Sequence, residues 1–205
     1  MINRRHAMGL LVGAGAASLA FGQAAFADNH EADAGEWREM MVGSPDAPVE
    51  IIEYASLTCP HCANFRTNTY PLLRERYVDN GQVRMIFREF PLDQLAIAGF
   101  MLARCDEEQY FPIVNMLFET QRQWAFGDRP LDELAGMMRQ VGFSQEKFES
   151  CLNDQAIYDG IMAVTNEGRE QGVNSTPTFI VDGEIHRGAL SIDQFEEILA
   201  PKLDG

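Results

Sequence analysis

The chain has 205 residues, 46% of them hydrophobic and 23% charged, with a formal net charge of −15. This apolar content is enough for a buried core and excludes disorder as the main state, while the length suits one domain, with or without an insertion. The acidity speaks against nucleic acid as a partner, because phosphates would be repelled, and otherwise describes a well-solvated surface.

The chain opens with Arg4 and Arg5, an apolar run from Met8 to Ala20, and small residues at Ala25-Phe26-Ala27. Charge, apolar stretch and A-x-A site in that order describe a secretory signal peptide over residues 1–27. The run is short and rich in Gly and Ala, whereas a spanning helix takes about 20 apolar residues. The expectation is a soluble exported chain, periplasmic in a bacterium, beginning near Asp28; an uncleaved N-terminal anchor is the alternative. The paired arginines leave general and twin-arginine export both open. Residues 28–36 are polar, acidic and aperiodic and read as a flexible leader.

Residues 37–92 form the first part of the expected fold. The turn cluster Gly43-Ser44-Pro45-Asp46-Ala47-Pro48 leads into Val49-Glu50-Ile51-Ile52-Glu53-Tyr54-Ala55, whose β-branched and aromatic residues predict a buried strand. A helical pattern from Cys62 to Tyr77 and a second strand from Gln82 to Phe90 complete a parallel, right-handed βαβ unit. Residues 93–172 are nearly all helical. Leu95, Gly99, Leu102 and Ala103 share one face, as do Phe111, Val114, Leu117 and Phe118; Pro130 starts a helix carrying Leu131, Leu134, Met137 and Met138 at core spacing. Further helices are expected near 144–153 and 155–171, with the methionines and aromatics packing a core rather than lining a binding stripe. In residues 173–205, a strand at Thr178-Phe179-Ile180-Val181, the hairpin signal Asp182-Gly183 and a strand at Glu184-Ile185-His186-Arg187 precede a capping box, Ser191 and Gln194. Ile192, Phe195, Ile198 and Leu199 then give a final amphipathic helix. The order βαβ, helical insertion, ββα is an α/β fold.

The chain has four cysteines, and Cys59 and Cys62 are close enough to pair with each other, which leaves Cys105 with Cys151. That second bridge closes a loop of about 46 residues and is expected to be structural, worth up to about 4 kcal/mol. The run Cys59-Pro60-His61-Cys62 follows a strand and opens a helix. Cys59 falls at the N-cap and Pro60 at the first helical position, where its missing N–H costs nothing. Free N–H groups and the positive end of the helix dipole then favour a Cys59 thiolate, and His61 adds a donor or a charge beside it. A stabilised thiolate makes the disulfide form the stronger oxidant, by about 30 mV for each 1.4 kcal/mol. Cys59 at the exposed helix tip is the sulfur to be attacked, through a mixed disulfide, and Cys62 is shielded one turn further in. Zinc would need two more ligands than this motif supplies, and an inert bridge would need neither the Pro-His pair nor the strand before it. Glu53, six residues before Cys59 in an apolar strand, is a candidate to accept or relay the Cys62 proton, unless alternation places it at a solvated edge. Thr176-Pro177 precedes a strand, where proline is awkward unless it begins the strand or forms a cis turn. A cis Pro177 would leave the Thr176 backbone free to pair with an extended substrate.

Taken together, Gly43-x-Pro45-x-Ala47-Pro48-Val49, Glu53, Cys59-Pro60-His61-Cys62, Arg88-Glu89-Phe90-Pro91 and Thr176-Pro177-Thr178-Phe179 resemble the DsbA group of periplasmic disulfide oxidases. The resemblance implies a thioredoxin-like fold with a helical insertion, a cis Pro177 facing Cys59, and reoxidation by a DsbB-like quinone-linked membrane oxidase. It implies no cofactor beyond the redox-active Cys59–Cys62 disulfide, no metal, a monomer, and reduced exported proteins as substrates. A bridge between Cys105 and Cys151 is similar to that of a subgroup with an extra disulfide in the helical region, and Thr176 departs from the valine of the best-known member. A reductase or isomerase on the same site, or a non-catalytic binding or chaperone module stapled by disulfides, are the competing functions.

Overall fold

The computed structural model describes residues 37–203; the signal peptide and leader expected over 1–36 lie outside the described residues. A five-stranded sheet has the order β1-β3-β2-β4-β5, with β1 at Met40–Val42, β2 at Val49–Ala55, β3 at Val83–Glu89, β4 at Thr178–Val181 and β5 at Glu184–Arg187. β2 and β3 run parallel, with Glu53 beside Phe87 and Ala55 beside Glu89; the remaining pairings, β1 with β3, β2 with β4 and β4 with β5, are antiparallel. This is the expected α/β, thioredoxin-like order with one strand added. β1 carries only Met40-Met41-Val42 and has no alternation to read, so it becomes a strand by pairing with β3 rather than by its own pattern.

Between β2 and β3 the chain is helical but not uniformly so. α1 (Pro60–Asn64) and α2 (Tyr70–Leu73) alternate with π-helical turns at Phe65–Thr69 and Arg74–Val78. Pro71 near the start of α2 has no N–H to return to the preceding turn, and the Tyr70 N–H reaches back five residues to the Phe65 carbonyl. The helical block between β3 and β4 holds α3 (Gln94–Arg104), α4 (Tyr110–Glu119), α5 (Gln121–Trp124), α6 (Pro130–Gln140), α7 (Gln145–Leu152) and α8 (Gln155–Glu170); α9 (Ile192–Leu203) closes the chain. The hairpin turns through Asp182 and Gly183, both with positive φ, and the Ser191 and Gln194 side chains each accept the other's backbone N–H.

One core joins the helical block to the face of the sheet that carries Phe87 and to the cysteine turn, and it contains Phe100, Tyr110, Leu117 and Trp124. A second cluster on the same face packs Ile51, Phe65, Leu73, Phe179, Phe195 and Leu199, since Phe87 and Phe179 both pair with Glu53, and Tyr54, Phe90, Val173 and Ile180 cluster on the opposite face. Leu131 departs from expectation: it is 53% exposed, because the buried face of α6 is carried by Leu134, Met137 and Met138 while the first turn stands clear. It borders an apolar groove with Leu95, Met101 and Tyr158. Gly168 in α8 is required by close approach, since a Cβ there would lie 2.6 Å from the buried Tyr54 ring. No described helix is long and apolar enough to cross a membrane.

Candidate active site

β2 delivers the chain at its C-terminal end to a buried turn, Ser56-Leu57-Thr58, which hands over to Cys59 at the N-cap of α1. The turn is tied down by side chains. Ser56 and Thr58 pair through their hydroxyls at 3.2 Å, Thr58 donates to Asp93 Oδ2 at 2.7 Å, and Asp93 Oδ1 caps α3 by accepting the Ala96 N–H. Gln121 donates from Nε2 to the carbonyls of Leu57, at 2.8 Å, and Cys59, at 3.0 Å. Pro60 occupies the first helical turn, as expected.

Cys59 is not at an exposed tip, as the sequence suggested, but only 5% exposed, because the turn before it and the segment before β4 both close over it. Its Sγ donates to the Thr176 carbonyl at 3.3 Å. The Cys59 and Cys62 sulfurs are unbonded, so the site is in its dithiol form rather than the disulfide form. The Cys62 thiol points at Cys59 and, with the Thr176 side chain and the backbone N–H groups of Cys62 and His61, holds the Cys59 thiol down to about 5 against the opposing effect of burial. Cys62, fully buried, moves the other way: burial, the hydrogen bond to Cys59 and the Cys59 charge raise it well above the usual thiol value. The protons of the two sulfurs are thus separated by environment. His61 contributes through its backbone N–H.

Glu53 sits at the buried centre of the sheet, not at a solvated edge. Burial raises it to about 6, with the Arg66 charge pulling against the rise. Arg66 Nη2 donates to Glu53 Oε2 at 3.0 Å, and its guanidinium lies 4.2 Å from the Tyr70 ring centre and 4.9 Å from that of Phe87. Glu53 Oε1 has no hydrogen-bond partner among the described residues. The Glu53 charge contributes to the raised value of Cys62. Arg66 escaped the sequence reading, though its place four residues after Cys62 on one helix was a usable signal, since such residues share a face.

The Thr176–Pro177 bond is cis, and the Thr176 carbonyl faces Cys59 instead of standing free, because in the dithiol form it accepts the Cys59 hydrogen. Cys105 at the end of α3 and Cys151 in α7 are bonded to each other, with Cα atoms 5.7 Å apart. Among the described residues no group of three or more His, Cys, Asp and Glu is placed to hold a metal ion.

A dithiol at the N-terminus of a helix that follows a central strand, facing a cis X-Pro bond before the next strand, defines a thiol–disulfide site on a thioredoxin-like fold. The family model described as thioredoxin matches residues 36–200, and the chain belongs to that family; within it, fold and motif are DsbA-like. The crystal structure of Wolbachia pipientis α-DsbA1 is 29% identical, with a TM-score of 0.75 over 82% of this chain and 92% of that one. BdbD of Bacillus subtilis, at 18% identity and a TM-score of 0.72 over 82% of this chain and 94% of that one, shares the fold. A protein of Rickettsia typhi provisionally named a protein-disulfide oxidoreductase is 30% identical over 148 residues, 71% of this chain and 55% of that protein. The chain therefore spans only a little over half the length of that curated relative.

Proposed function

We propose that the protein is a thiol–disulfide oxidoreductase that works as an exported dithiol oxidase. The observation that carries this reading is the opposed acidity of the two sulfurs, with Cys59 held near 5 and Cys62 well above the usual thiol value. A thiolate stable at neutral pH favours the reduced protein, so the Cys59–Cys62 disulfide is a strong oxidant. A substrate thiolate attacks Cys59 Sγ, the Cys59–Cys62 bond breaks, and Cys62 leaves as a thiolate that its buried site favours protonating. The substrate's second thiolate then attacks the substrate sulfur of the mixed disulfide and releases the Cys59 thiolate. Two electrons pass from substrate to protein. Glu53, buried and raised to about 6, is suited to exchanging the Cys62 proton near neutral pH.

The Thr176 carbonyl, which faces Cys59 Sγ, is placed to accept a backbone N–H of an extended substrate strand. Export rests on the leader pattern over residues 1–27. Reoxidation by a DsbB-like membrane oxidase, with reduced exported proteins as substrates for a monomer, rests on the DsbA-like fold and motif. The Cys105–Cys151 bridge stabilises the helical insertion. Equilibration of the 59–62 pair with glutathione tests the direction. An oxidase gives a potential well above that of the cytosolic reductants, together with faster recovery of reduced than of scrambled substrate; a potential near about −270 mV, as for a reductant such as thioredoxin, sinks the reading.

A further inference from the structure

Gln121 opens α5, a single turn in the helical block, 62 positions along the chain from Cys59. It is a neutral polar residue, 4% exposed, with its amide spent on two carbonyls of the turn that carries the dithiol. The Cys59 carbonyl also accepts the Ala63 N–H at 3.1 Å, the first bond of α1, so Gln121 fills its second acceptor position. The short helix that presents Gln121 is itself pinned. Trp124 is fully buried and donates its indole N–H to the Leu117 carbonyl at 2.7 Å, and Thr120 donates to the Met116 carbonyl. Filling space alone would call for Met or Leu at position 121; a buried amide aimed at two backbone carbonyls does something more specific.

We infer that Gln121 is a positioning residue of the dithiol: by gripping the Leu57 and Cys59 carbonyls it fixes the peptide that enters α1, and so aims the first-turn N–H groups at the Cys59 sulfur. The helical insertion is thereby coupled to the reactivity of a cysteine it does not contain. The inference deepens the proposed redox role of Cys59 and rests on it. Cys59 has extended backbone, φ −82° and ψ 118°, and the residues after it are helical, so a swing of the Cys59–Pro60 peptide tilts the helix start away from the sulfur. Fewer N–H groups then converge on the thiolate, the reduced form loses its advantage, and the disulfide form becomes the weaker oxidant.

The test compares the full-length protein with Gln121→Met, which keeps length and volume but removes both donors. Thiolate absorbance against pH should place the Cys59 midpoint of the variant about one unit above that of the wild type, a tenfold change in acidity. The equilibrium with glutathione should shift about tenfold toward the protein disulfide, about 30 mV. A folded Gln121→Met whose midpoint and glutathione equilibrium match the wild type overturns the inference, whatever its thermal stability. Should that variant not fold, the wild type decides: the Gln121 side-chain NH2 resonances must move with the Cys59 titration, and their indifference to it overturns the inference equally. A wild type that fails as an oxidase while Gln121→Met still shifts the midpoint would defeat the proposed function and leave the positioning role standing.

Discussion

Replacing Arg66 with Met isolates what a buried charge does at the centre of this sheet. Arg66 is 3% exposed in its side chain and Glu53 not at all, and their single contact is 3.0 Å. Removing one partner of such a pair costs about 3–5 kcal/mol, because the survivor keeps its desolvation penalty without its compensation. For a chain of this size that is a fall of about 6–20 °C in melting temperature. The cost depends on pH, and the sign follows from Glu53. Its value in the folded protein is raised, to about 6 even with Arg66 present, so its contribution to stability is fully present below about 4.5 and lost as pH rises through the folded value. Without Arg66 the value rises further, and the loss deepens between pH 5 and pH 8. Urea unfolding followed by circular dichroism at both pH values measures this, with Glu53→Gln combined with Arg66→Met as the control. The double variant should recover much of the loss at pH 8, since no uncompensated charge remains. A loss equal at both pH values, or a double variant no better than Arg66→Met alone, would refute the reasoning.

Four further outcomes follow from the geometry. Alkylation of the reduced protein by iodoacetamide should fall on Cys59 with a midpoint near pH 5 and spare Cys62, as read by mass spectrometry; a midpoint above pH 7 contradicts the site as described. Because the folded value of Cys59 is depressed, the stability it lends the reduced form is present above about pH 9 and lost as pH falls through about 5. The melting temperature of the reduced protein should therefore drop relative to the oxidised one across that window. Replacing Cys105 and Cys151 together by Ala opens a loop with a sequence separation of 46 and should cost up to about 4 kcal/mol in chemical unfolding while leaving the Cys59 titration in place. Gly168→Ala should destabilise by about 1–3 kcal/mol despite the better helix propensity of Ala, since its Cβ would meet the Tyr54 ring at 2.6 Å; a gain in melting temperature would show that the ring yields.

The sequence made the local features legible and hid the long-range ones. β2 was readable from its β-branched run, the hairpin from Asp182-Gly183, and the helix start from Pro130, because each is fixed by the residues' own backbone preferences. The dithiol, Glu53 and Thr176-Pro177 were readable because they stand next to strands whose direction is predictable. Gln121 reaches partners at least 62 positions away, which only the packing of the helical block brings together, and Arg66 meets Glu53, 13 positions back, through the packing of its own helix on β2. The same holds for the exposure of Cys59: its place at a helix N-terminus was readable, but the Thr176 segment that covers its sulfur arrives from the other end of the chain.

Two buried carboxylates in adjacent strands show how one residue type serves two ends. Glu89, at the end of β3, receives Arg104 on both oxygens, at 2.5 and 3.1 Å, and the Tyr110 hydroxyl at 2.6 Å; Arg104 also reaches the Arg38 carbonyl and lies 4.0 Å from the Trp37 ring centre. Both oxygens of that carboxylate are engaged by buried donors, so it clamps β3 to α3 and α4. Glu53 has one oxygen on Arg66 and one with no partner among the described residues. A half-satisfied buried carboxylate is a poor structural element, since each unmet acceptor costs about 1–3 kcal/mol. It is a good proton exchanger for the same reason: its charge is only partly compensated, which is why it sits near 6. Glu89→Gln should therefore damage folding first, and Glu53→Gln should slow disulfide exchange near neutral pH in a protein that still folds. Measuring both variants by unfolding and by exchange rate separates the roles, and a Glu53→Gln protein with wild-type exchange rates from pH 5 to 8 would leave that carboxylate without its proposed function.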